Sequence, residues 1–153
     1  MPTLPSMDIE AAHRHFSTHC FNETWTLLDK SKDRTDDESR LMEAAAFASL
    51  YHWLQRPDAT PKNLSVGYWQ VSRVMSMLER GPEALHYAEI CLAKSGDLPP
   101  FYRGYAIEAI ARSAALLGQA DRVQTAKSAA TELLPLMTDA DERSMLEGDL
   151  QTI

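Results

Sequence analysis

Displaced by 39 residues, the stretch from about residue 64 to 95 falls on the stretch from 101 to 135, and the core positions keep their character. Tyr68 lands on Ile107, Trp69 on Glu108, Val71 on Ile110, Arg73 on Arg112, Met75 on Ala114, Leu78 on Leu117, Ala84 on Val123 and Cys91 on Ala130. A period of this length marks one supersecondary unit that cannot bury its apolar face alone, so that neighbouring units must stack to close a core. The units are helical. The chain has 20 Ala and 18 Leu against four Val and five Ile, which favours helix over sheet. At 153 residues it has the size of one domain.

Punctuation residues predict about seven helices. An amphipathic pattern from Met7 to Asp29 places Ile9, Phe16, Cys20, Trp25 and Leu28 near a 3.6-residue period. Thr35 followed by Glu38 has capping-box spacing and opens a second helix that Pro57 ends. That helix is apolar on nearly every side, so Phe47, Leu50 and Leu54 are expected to be almost wholly buried. A third helix spans Lys62 or Asn63 to Glu79, and a fourth Pro82 to Lys94. Gly96 to Pro100 is the clearest interior break; helices from Pro100 to Leu117 and Ala120 to Leu134 follow, with Gly118 at the turn between them. Leu146, Leu150 and Ile153 give a short last helix one apolar face.

Within each repeated unit a long helix, a turn and a second helix with small contact residues resemble the tetratricopeptide repeat (TPR). Tyr68, Val71, Ser72, Ala84 and Cys91 fill its pattern in one unit, and Ile107, Ile110, Ala111, Gly118, Val123, Ala130 and Pro135 in the next. The spacing departs from the usual ~34 residues, the extra length lying near Gly96 to Phe101, and Gly81 stands two residues later in its turn than Gly118. The chain is also similar to small uncharacterised bacterial proteins built of such hairpins. The resemblance implies an all-α, TPR-like stack of antiparallel hairpins forming a short right-handed superhelix. It would be a single domain over 1–153, with hairpins at about 7–56, 62–95 and 100–135 and a capping helix over 139–151.

In such a stack the first helices of the hairpins line a concave surface that takes peptide or protein ligands. Residues one and five beyond Tyr68 and Ile107 then face the groove: Trp69, Arg73, Glu108 and Arg112, with Tyr105 beside them. A weaker alignment of the first helix adds Phe16, His19 and Glu23. Trp, Tyr and Arg dominate binding hot spots because they combine contact area with directed hydrogen bonds. The same residues also permit a plainer reading, with Trp69 stacked on Arg73 and Glu108 paired with Arg112 as ordinary i, i+4 helix contacts.

A metal-binding bundle is the alternative from another class. His15, His19 and Glu23 follow helical spacing, and Glu10-x-x-His13 and Glu83-x-x-His86 have the form used in dimetal bundles. His13 and His15, however, stand about 200° apart around a helix, and Glu83 lies in a first turn, where acid serves the dipole. His52, between Tyr51 and Trp53, reads as a satisfied core histidine. No catalytic signature, phosphate loop, cofactor motif or paired cysteine spacing is present, so no enzyme, cofactor or metal is assigned. A net charge of −7 argues against nucleic acid. No apolar run approaches the ~20 residues of a membrane helix, and Met1-Pro2-Thr3-Leu4-Pro5 lacks the regions of a signal peptide. The expectation is a cytoplasmic, non-enzymatic module that binds a protein or peptide, with a homodimer or homo-oligomeric scaffold as a further possibility.

Overall fold

The computed structural model describes residues 6–153; the reading of the first five residues as lacking a signal peptide lies outside them. The chain divides between Ala59 and Thr60 into two compact units, each described by itself. Among the described residues there are seven α-helices, two short 3-10 turns and no strand, so the protein is all-α. No helix there is long and apolar enough to cross a membrane.

The first unit is the hairpin of α1 (Ile9–Asp29) and α2 (Asp36–Gln55). Asp8 caps α1, and Thr35 and Glu38 form the expected capping box on α2. Arg34 reaches back to donate to the carbonyls of Leu27 and Leu28 in the last turn of α1, adding to the bond that Leu28 accepts from the Lys30 N–H. Small residues line the seam: Ser17 and Thr24 on α1, Ala45, Ala46 and Ser49 on α2. They let the backbones approach closely enough for Ser49 Oγ to donate to the Ser17 carbonyl at 2.7 Å. Because α1 lies along this narrow line, apolar character around α2 does not become burial all round. Leu50 is buried, Phe47 half-buried and Leu54 49% exposed, which corrects the expectation of full burial for the last two.

The second unit carries the repeat. α3 (Pro61–Met77) and α4 (Gly81–Lys94) form one hairpin, and α5 (Pro100–Leu116) and α6 (Ala120–Leu133) the next. All four boundaries recur at the 39-residue offset read from the sequence. So does the turn. Arg80 N–H bonds the Met75 carbonyl at 2.9 Å and Gln119 N–H bonds the Ala114 carbonyl at 3.0 Å, the long closing bond of a Schellman end. The left-handed residue of the second turn is Gly118, with φ +68°; its counterpart in the first is Glu79, with φ 59°. Gly81 therefore is not the turn glycine. Its work is close packing, since a Cβ there would come within 2.9 Å of Leu117 Cδ2.

Side-chain oxygen and sulfur tie the first of these hairpins together: Ser72 Oγ donates to the Ala84 carbonyl, and the Cys91 thiol to the Ser65 carbonyl. Burial pushes that thiol up to about 11, which keeps it protonated as a donor. Ala88, Ala109, Ile110, Ala111 and Ala126 form the core between hairpins. A last helix, α7 (Ala140–Leu150), is capped by Asp139 and lies on α5, where Leu146 fills the space over Gly104; a Cβ there would meet Leu146 Cδ2 at 2.6 Å.

The two turns make opposite predictions. Glu79→Gly relieves a left-handed non-glycine residue and should stabilise the protein by about 1 kcal/mol, whereas Gly118→Ala should cost about the same. Urea denaturation of both variants checks the pair; equal shifts in one direction would show that the turns are not equivalent.

Candidate functional site

Trp69 and Arg73 lie one turn apart on α3, and Tyr105, Glu108 and Arg112 lie on α5; the fold brings all five together. Glu108 is the centre, only 1% exposed in the middle of the unit. Arg112, a turn further along α5, donates from Nε at 2.7 Å and approaches with Nη2 at 2.6 Å, both on Oε1. Arg73 Nη1 stands 3.8 Å from that same oxygen. Among the described residues Oε2, the other oxygen, meets no hydrogen-bond donor. Around this charge sits an aromatic wall. Arg73 lies over the Trp69 ring at 5.4 Å, and Tyr105 meets Trp69 and Phe101 edge-on at 5.7 and 5.1 Å.

The last helix closes over the cluster. Its Asp149 carboxylate accepts from the Tyr105 hydroxyl at 2.7 Å and stands 3.4 Å from Arg73 Nη2. The Asp149 carbonyl and Thr152 Oγ1 accept from Arg112 Nη2 at 3.1 and 2.8 Å. Leu146 and Leu150 are buried beside Tyr105, Ala130 and Met137, a burial that stabilises by about 1.5–3 kcal/mol per leucine. Two guanidinium groups, each 14% exposed, thus face one buried carboxylate, Glu108, and one that is 34% exposed, Asp149. Burial and the neighbouring Asp149 both raise the Tyr105 pKa, so its hydroxyl remains a donor to that carboxylate.

Two expectations need correction. Glu108 does not line an open groove; it lies beneath the guanidinium groups as their buried counter-charge. Arg112 accordingly does not face an open groove either: it spans Glu108, the Asp149 carbonyl and Thr152, and without it Glu108 would be buried with far too little compensation. The i, i+4 pairings Trp69–Arg73 and Glu108–Arg112 both form, the latter inside the unit rather than on its surface. Asp149 and Thr152 were missed by sequence reasoning, although one signal pointed to them: Asp149 interrupts an otherwise apolar face made by Leu146, Leu150 and Ile153.

His19 and Glu23 belong to α1, in the first unit. His19 is exposed and stacks on His15 with ring centroids 5.5 Å apart and planes 16° from parallel. Glu23 is half-buried and contributes, after burial, to raising the pKa of the free thiol of Cys20. His52 is half-buried rather than fully in the core, with its Nδ1 2.8 Å from His13 Nδ1 and its ring tilted against Phe16. Burial and His13 lower its pKa, which favours the singly shared proton that such an imidazole pair requires. Among the described residues no group of three or more His, Cys, Asp or Glu is placed to hold a metal ion.

Comparison of the chain with family models, with curated proteins and with solved structures gave no match. The chemistry of the site therefore stands on its own geometry.

Replacing Arg112 by Ala should cost about 3–5 kcal/mol, the usual result of stranding a buried charge. Converting the pair together, Glu108→Leu with Arg112→Met, should recover most of that loss in urea denaturation. A double variant as unstable as Arg112→Ala would show that packing, and not the stranded charge, dominates.

Proposed function

We propose that this chain is a non-enzymatic, TPR-like interaction module, a short stack of hairpins working in the cytoplasm, whose second unit binds a peptide or protein segment. The binding surface comprises Trp69, Arg73, Tyr105 and Arg112, with Glu108 beneath as the fixed counter-charge. One observation carries this reading: a helical segment, α7, already lies on that surface with a carboxylate between Arg73 and Tyr105 and leucines against the aromatic wall. The contacts are those that a partner segment would make. A guanidinium recognises a carboxylate by charge-assisted hydrogen bonding, and rigid aromatic rings supply contact area at little entropic cost. Specificity is then for a helix that carries an acidic residue within an apolar stripe.

Selection from a library of helical peptides tests this. Enriched sequences should place Asp or Glu beside Leu or Ile at helical spacing. Arg73→Gln, made in the Asp149→Ala chain so that α7 no longer uses the guanidinium, should weaken them at least tenfold, about 1.4 kcal/mol. Peptides without acidic residues, or peptides indifferent to Arg73→Gln, would refute the reading.

A further inference from the structure

Because α7 lies on the surface assigned to a partner, the same contacts cannot serve both at once. We propose that α7 is a displaceable occupant of its own site, released when an acidic amphipathic helix with the pattern Leu-x-x-Asp-Leu-x-x-Ile takes its place. This inference rests on the binding reading above and adds its regulation and the form of the partner. The pattern is that of Leu146, Asp149, Leu150 and Ile153.

One feature marks α7 as the element that yields. Gly148 stands inside the helix, where glycine disfavours helix relative to alanine. Nothing lies within 4 Å of where its Cβ would be, so packing does not require the glycine. Charge fits as well. α7 bears Asp141, Glu142, Glu147 and Asp149 against Arg143 alone, and its seat presents Arg73 and Arg112.

Tethering gives α7 the advantage of high effective concentration, on the order of millimolar for a short linker. A free partner competes against that figure, so its apparent affinity is set by how firmly α7 is held. Weakening α7 must tighten partner binding, and strengthening α7 must weaken it. A helix that served only to complete the fold would not couple in this way.

The test is fluorescence anisotropy with a labelled peptide copying residues 138–153, titrated into the full chain. Asp149→Ala in the chain should tighten binding at least tenfold. Gly148→Ala should weaken it about fivefold, the effect of the helix-propensity difference between the two residues. Gly148→Ala introduces no clash and keeps the test decisive should Asp149→Ala unfold the chain. Equal affinity for all three chains, with binding lost when Arg73→Gln is added to the Asp149→Ala chain, would overturn displacement and leave the binding reading intact, because in that chain α7 no longer uses Arg73 and only the peptide does. Binding that responds neither to these variants nor to Arg73→Gln in the Asp149→Ala chain would overturn both. Absence of binding to every chain would overturn displacement, leaving α7 a fixed part of the fold.

Discussion

A carboxylate with 1% of its surface exposed fixes the rest of the second unit around it. Glu108 can remain charged there only if a guanidinium meets it at hydrogen-bond distance, and Arg112 does so from one turn further along the same helix. The price in desolvation is high enough that such a pair is weak evidence for stability. It is better evidence for a geometry that must be held. Arg112 extends from Glu108 to the Asp149 carbonyl and Thr152, while Arg73 approaches both carboxylates. The buried acid thereby positions two guanidinium groups at the surface where α7 lies.

The repeat makes that geometry possible. Equal helix lengths and equivalent Schellman turns bring Trp69 and Arg73 on α3 beside Tyr105 and Arg112 on α5. Small residues in the core, mostly alanine, let the helices approach closely. Where a helix comes nearest, glycine replaces alanine: Gly81 against Leu117, and Gly104 beneath Leu146. Sequence, packing and site are thus linked through residues that contribute little surface themselves.

Much of the fold was legible in the sequence because its signals are local. Proline, glycine and capping residues mark helix ends through backbone chemistry, and the 39-residue offset reappears in the boundaries of four helices. The five residues that gather on α3 and α5 followed from that offset. Their depth did not: Arg112, the partner of Glu108, is held in turn by Asp149 and Thr152, some 40 residues further along the chain. Glu79 escaped notice because nothing in a glutamate signals a left-handed turn. Leu54 misled for the opposite reason: an apolar residue on an apolar helix gives no sign of which flank the neighbouring helix covers.

Displacement requires α7 to be the least firmly held helix of the second unit, despite its buried Leu146 and Leu150 and the contacts that Arg73, Tyr105 and Arg112 make with Asp149. Native-state hydrogen exchange at increasing denaturant measures this directly, because local opening is distinguished from global unfolding by its smaller free energy and its weaker dependence on denaturant. The amides of α7 should exchange through an opening of lower free energy than those of α3 to α6, and faster still in Asp149→Ala. Exchange of α7 at the same free energy and with the same denaturant slope as α5 would contradict the account.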